Sequence, residues 1–393
     1  MAKKNNGIKY WLGKIHLWGG LVSGIVVFIV SITGCLFVFE EEIRDLTLRK
    51  YRFVEPSKSA RVSLATIETE AKRAFPDKKI DQVRVFSDAT RAVIVKLADA
   101  KAKPAKGNKE EKEYRKEAFG FNPYTGALLG RYNLEYDFMH LVEDTHKSLL
   151  LGETGKWIIK INVVVFLVML LSGLYLWWPR KRNQRRFAFT VNFKSKFQVL
   201  NYSLHNVLGF YFLLPLFVIT MTGIWWAIKP VQKITYAALG QKMPEQKKTI
   251  SIYQPGKVFS PDDALSSVAL AYGGWKEAHI NFAKNDKETI KVNLKYPYQI
   301  YKKSNVFEFD QYSGAVLKTE LFKDYSTADK LKHSNRDLHT GQNFGFAGKL
   351  LAFIASLFAA SLPVTGFLIW YQRKYKKVSK KVSSAKKNQL AMA

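Results

Sequence analysis

Four stretches of the chain, residues 17–39, 157–178, 206–228 and 347–371, are apolar and carry no Asp, Glu or Arg. Their only lysines are Lys160 and Lys349, each close to the start of its stretch. Each stretch is about 20 residues or longer, which at roughly 1.5 Å rise per residue spans a hydrocarbon core of about 30 Å. Long core helices of a soluble protein keep a polar stripe, and these stretches have none. The sequence therefore predicts an α-helical membrane protein with four transmembrane helices.

Charge gives the orientation. Lys and Arg outnumber Asp and Glu by 62 to 32, and the excess has a location. The N-terminal segment 1–16, the loop 179–205 and the tail 372–393 are rich in Lys and Arg and contain no acid, while every acidic residue lies in 40–156 or 229–346. Short segments rich in Lys and Arg stay cytoplasmic. Both termini are thus expected inside, and the two long segments outside. The basic clusters abut the spans, so they point to the bilayer surface and not to nucleic acid. Cys35 is the single cysteine, so the exported segments hold no disulfide. Ile32-Thr33-Gly34-Cys35 has the form of a lipoprotein cleavage box, but Thr-Gly or Ser-Gly recurs in all four stretches. We assign it to an internal repeat and read the first span as an uncleaved anchor.

That repeat is carried by histidines. His16 and His205 each head an apolar run, each has a Gly four positions on (Gly20, Gly209), and sixteen residues separate each from a Thr-Gly pair (Thr33-Gly34, Thr222-Gly223). The Gly lies one helical turn away and leaves a backbone notch beside the ring. A second frame, His146 with Gly152, Gly155, Lys156 and Ser172-Gly173, returns 193 residues later as His339 with Gly345, Gly348, Lys349 and Thr365-Gly366. His140 with His333, and Asp144 with Asp337, keep the same offset of 193, and only His279 lacks a counterpart. The chain is a tandem duplication of two halves inserted with the same orientation, so a pseudo-two-fold axis along the membrane normal is expected.

The exported segments repeat as well, and each reads as a small α+β module. Ser63 and Ser260 open helices as N-caps, with Pro261 in the first turn of the second. Strands are expected near 80–86 and 92–97, and near 278–282 and 289–294. Strand–turn–strand units follow around Thr125-Gly126-Ala127 and Ser313-Gly314-Ala315. Residues 101–117 read as a charged hinge or hairpin tip. Pro215 and Pro363 should kink the third and fourth spans.

The axis decides which histidines meet: His16 with His205 at the cytoplasmic edge, His146 with His339 at the outer edge. Structural zinc takes four ligands and catalytic zinc three, and the spans, with no carboxylate and a single thiol at Cys35, do not complete such a set. Haem brings four equatorial nitrogens and needs only axial ligands. Two b-type haems, each held by a histidine pair, are the economical expectation. There is no Cys-x-x-Cys-His for covalent attachment. A single histidine at a helix end is otherwise an interfacial residue. His140 and His333 stay open as alternative outer ligands or as residues on the substrate side. Asp144 and Asp337 could orient an imidazole but are rather expected to be solvated, and His279 to be an ordinary module residue.

The H-x-x-x-G and T-H-K-S-L-L-L-G-E-T-G frames, the span ends S-G-L-Y-L-W-W-P-R and T-G-F-L-I-W-Y-Q-R-K, and the turn F-N-P-Y-T-G-A-L-L resemble the PepSY-associated transmembrane family over nearly the whole chain. Thr145 departs from the Leu usual before the histidine, while Leu338 conforms. The resemblance implies two periplasmic PepSY-like modules, 40–156 and 229–346, in the bacterial inner membrane. It also implies haem ligation by His16, His205, His146 and His339, and, as in the ferric-siderophore reductases of that family, reduction of Fe(III)-siderophore to Fe(II) for iron acquisition. No G-x-G-x-x-G follows a strand, so electrons are expected from a membrane quinol or a cytoplasmic reductase. Two other functions stay open: a non-enzymatic membrane protein that binds or restrains an exported peptidase, and a siderophore uptake component.

Overall fold

A computed structural model describes residues 7–99, 117–133, 137–182, 185–245, 248–297 and 300–390. In chain order the elements are α1 (Ile8–Val38), α2 (Glu40–Thr47), α3 (Arg49–Arg52), α4 (Leu64–Ala74), β1 (Lys78–Phe86), β2 (Val93–Asp99), β3 (Glu117–Phe121) and β4 (Leu128–Asn133). There follow α5 (Phe138–Ser148), α6 (Gly152–Trp177), α7 (Arg185–Phe189), α8 (Phe197–Tyr211), α9 (Leu213–Ala227) and α10 (Lys229–Ala238). The last are α11 (Pro261–Ala269), β5 (Glu277–Asn281), β6 (Ile290–Lys295), β7 (Ser304–Phe309), β8 (Val316–Glu320), α12 (Thr327–His339) and α13 (Gly345–Leu390). They form two compact units: a helical unit of Met1–Val38, Val142–Gln232 and Arg336–Ala393, and a sheet unit of Phe39–Leu141 and Lys233–Asn335.

The helical unit is apolar outside and contains small hydroxyl residues inside. Val22, Ile25 and Leu214 are exposed, whereas Ser23, Thr33, Ser172, Thr220, Thr222 and Ser356 are buried. Lipid tails accept the apolar exterior, and small polar residues let helices approach closely. Three helical stretches are long and apolar enough to cross a membrane, Ile8–Val38, Gly152–Trp177 and Gln342–Tyr375, and the pair α8–α9, bent by 64°, makes a fourth if it is one span. The break falls at Phe212, three residues before Pro215, which has no N–H to offer the carbonyl of Tyr211. The other expected kink produces no break: α13 continues through Pro363, whose ring packs at Gly24 of α1, where an added Cβ would meet it at 3.1 Å. The helices also begin earlier than the hydropathy pattern suggested, α1 at Ile8 and α8 at Phe197. His16 and His205 therefore lie inside helices and not at their edges, and the final third of the segment read as the loop 179–205 is helical.

The sheet unit departs from the expectation of two separate modules. Its eight antiparallel strands form one sheet in the order β4-β3-β2-β1-β5-β6-β7-β8, mirrored about the β1–β5 junction. There Val83 opposes Ile280 and Arg84 opposes His279. Alternation places Val83, Val85, Ala278, Ile280, Val292 and Leu294 on one face, in a common core with Ile67 and Ala71 of α4 and Ala264 and Val268 of α11. A module on its own would leave an apolar strand edge unpaired, and pairing β1 with β5 removes both edges at once. The expected caps form: Ser63 Oγ accepts from Thr66 N and Ser260 Oγ from Asp262 N, each at 3.1 Å. The Asp262 carboxylate also accepts the N–H groups of Leu64 and Ala65, at 2.6 and 2.8 Å, so the second half caps the helix of the first. The charged hinge falls outside the described residues, apart from Glu117 at the start of β3.

Candidate functional site: two histidine pairs

α1 and α6 lie side by side in the first half of the helical unit, and α8–α9 and α13 in the second. Each half supplies one ring to each of two imidazole pairs. His16 and His205 stand with ring centroids 6.4 Å apart and planes at 89°. His146 of α5 and His339 of α12 stand 6.2 Å apart at 78°. The residue singled out beside His16 and His205 leaves space in both cases: a Cβ at Gly209 would meet nothing within 4 Å, and at Gly20 only Met169 Sδ at 4.0 Å.

Each ring is gripped at its Nδ1 edge by a residue pair that the sequence marked as repeated but to which it gave no role. His16 Nδ1 lies 2.9 Å from Ser172 Oγ, and His205 Nδ1 lies 2.8 Å from Thr365 Oγ1. His146 Nδ1 lies 3.1 Å from Thr33 Oγ1, and His339 Nδ1 lies 2.9 Å from Thr222 Oγ1. The glycine following each hydroxyl faces Cε1 of the same ring. An added Cβ would stand 3.2 Å from it at Gly173, 3.3 Å at Gly34, 3.5 Å at Gly366 and 3.6 Å at Gly223. The partners are crossed within each half. The hydroxyl for His16 of α1 comes from the far end of α6, and the one for His146, ahead of α6, comes from the far end of α1. This pairing runs between spans, so no spacing along one span announces it.

A family model described as the PepSY-associated TM region matches residues 14–373. The chain belongs to the PepSY-associated TM family. No curated relative matches it. Among solved structures, one from Clostridium difficile 630 described as a lipoprotein is 11% identical, with 67% of this chain and 95% of that chain covered, at a TM-score of 0.27. A score at that level assigns no common fold.

In this PepSY-associated TM protein the remaining histidines lie in the sheet unit. His333 stacks on Tyr325 with centroids 4.7 Å apart at 19°. His140 is on α5, six residues before His146, so the two side chains point about 120° apart around the helix. Neither takes part in the two close pairs described above. His279 on β5 contacts Glu277, and Lys295 Nζ lies 2.9 Å from its Nε2. Asp337, expected to be solvated, is buried at 1% exposure. Trp226, 45% exposed, lies 5.5 Å from the His339 ring. Among the described residues no three His, Cys, Asp or Glu side chains converge as a metal-binding group.

Proposed function

We propose that this protein carries electrons across the bacterial inner membrane and reduces an exported Fe(III) chelate, most simply a ferric siderophore, to Fe(II). In this reading the bent pair α8–α9 is one span, so four spans carry two parallel repeats. Both termini are cytoplasmic, and the segments that build the sheet unit are periplasmic. His16 and His205 hold a b-type haem on the cytoplasmic side, and His146 and His339 hold a second on the outer side.

The separation of the rings carries this reading. Two imidazoles that would hold one metal through Nε2, at about 2.0 Å per bond and about 1.1 Å from nitrogen to ring centre, would put their centroids about 6.2 Å apart. The observed 6.4 and 6.2 Å fit that arrangement at both pairs. Two nitrogens alone suit a metal whose other ligands arrive with it, as haem iron does. Haem bound there supplies one-electron redox chemistry. The protein's own residues orient the rings, exclude water from their Nδ1 edges and set the distance between the pairs. Thr33, which touches His146, follows His16 by seventeen residues on α1, a rise of about 25 Å. That is most of the thickness of a hydrocarbon core.

The test is an optical spectrum of the purified protein, oxidised and dithionite-reduced, with a pyridine haemochrome count. Two b-type haems per chain are expected. A colourless preparation from cells with ample haem would overturn the reading and leave a membrane protein that binds an exported partner without redox chemistry.

A further inference from the structure

The hydroxyls that touch the four imidazoles are chemically alike in one respect: each already has an acceptor on its own helix. Ser172 Oγ donates to Val168 O at 2.6 Å, Thr33 Oγ1 to Ile29 O at 2.8 Å, Thr222 Oγ1 to Val218 O at 2.8 Å and Thr365 Oγ1 to Ser361 O at 2.9 Å. A hydroxyl has one proton. Once it is given to the helix carbonyl, the oxygen can only accept from Nδ1. At His146 a second contact points the same way, because Nδ1 lies 2.9 Å from Val30 O and a carbonyl never donates. Back-bonding by itself is ordinary for a buried Ser or Thr in a helix. Ser23 and Thr220 do the same, to Gly19 O and Leu216 O, as buried hydroxyls on α1 and α9. What sets the other four apart is the imidazole on the remaining lone pair and the glycine against its Cε1.

We propose that Thr33, Ser172, Thr222 and Thr365 are positioning residues that hold the proton of each imidazole on Nδ1, so that the Nε2 lone pair faces the opposing ring. The assignment rests on the histidine pairs being axial ligands. It adds that the protein prepares the ligand tautomer before any cofactor arrives. A hydroxyl already spent on a carbonyl is also a weaker acceptor than a carboxylate. It makes each imidazole somewhat more basic without drawing it toward imidazolate. Deleting the hydroxyl weakens the ligand and favours the reduced iron, so the midpoint potential of that site should rise.

The experiment has two readouts on the full chain in nanodiscs. The first is nitrogen NMR of labelled histidines in haem-free protein, which separates Nδ1–H from Nε2–H imidazoles. Nδ1–H is expected at all four positions, with Ser172→Ala converting His16 partly to the other tautomer and Ser172→Thr restoring it. The second is optical potentiometry of haem-loaded protein. Ser172→Ala and Thr365→Val should raise the potential of one site or empty it, leaving the other unchanged. Thr33→Val and Thr222→Val should do the reverse, and Thr220→Val neither. Wild-type tautomers and potentials in Ser172→Ala and Thr365→Val would overturn the proposal while leaving di-haem binding intact, as would an equal shift from Thr220→Val. A wild-type protein that binds no haem but shows Nδ1–H at all four rings would overturn the proposed function and leave the tautomer assignment standing.

Discussion

The imidazole planes of His16 and His205 stand at 89°, nearly perpendicular, and each ring comes from a different half of the duplicated chain. If each pair holds haem as proposed, imidazoles at such an angle would leave two iron orbitals close in energy, and both ferric sites should give a strongly anisotropic low-spin resonance. Because the pairs are built from separate residues, His16→Ala or His205→Ala should remove one resonance and half the haem. The resonance of the His146–His339 site should remain. Loss of both, or of neither, would contradict the pairing.

The four glycines beside the rings divide by clearance. At Gly173 and Gly34 a new Cβ would stand 3.2 and 3.3 Å from an imidazole carbon, tighter than ordinary contact, whereas Gly366 and Gly223 allow 3.5 and 3.6 Å. Replacing helical Gly by Ala otherwise gains up to about 1 kcal/mol, and overpacking costs about 1–3 kcal/mol. Gly173→Ala and Gly34→Ala should therefore lower thermal stability and haem content. Gly366→Ala and Gly223→Ala should be neutral or stabilising. Four equal outcomes in melting experiments would show that the rings shift freely.

Acid should weaken the sheet unit from a defined pH. Burial pushes the His279 imidazole down to about 4 from 6.5, with Lys295 adding to the effect and Glu277 opposing it. A depressed histidine is neutral in the fold and protonated in the unfolded chain between those values. Stability present above pH 6.5 should thus fall as pH drops and level off near 4. Glu277 extends the loss to lower pH: burial would raise its carboxyl, but Arg84 holds it well below the usual range. His279→Gln should flatten the melting temperature between pH 6.5 and 4, and an unchanged slope would remove His279 as its source.

Asp262 tests the joining of the two segments that build the sheet unit. Its carboxylate takes the first two N–H groups of α4 from the other half of the chain. Asp262→Ala should cost about 1–2 kcal/mol, the range for a lost helix cap, measured by chemical unfolding followed at Trp275. Asp263→Ala, one residue on, has no such bond to lose and serves as the comparison.

Much of this molecule follows from local pattern. The caps at Ser63 and Ser260 are read from one side chain and the N–H groups beside it, and the turns at Gly126 and Gly314 need φ near +74° and +72°. The strands of the sheet unit follow from alternation, and the pairing of His16 with His205 from duplication combined with a two-fold axis. The helix starts at Ile8 and Phe197 lie outside the apolar stretches because hydropathy marks where a helix is apolar, not where its hydrogen bonds begin. Pro363 reads along the chain only as a kink, and its packing at Gly24 is invisible there.

The sequence by itself determined the long apolar helices, the repeat and which histidines it duplicates, since periodicity and repetition are properties of one dimension. Tertiary structure alone decided that two modules share one sheet across Val83 and Ile280. It also decided that Ser172, 156 positions from His16, supplies the oxygen at its ring. Both are contacts between elements remote in the chain. Such contacts are chosen by which edges and hydroxyls remain unsatisfied once the helices and strands have formed.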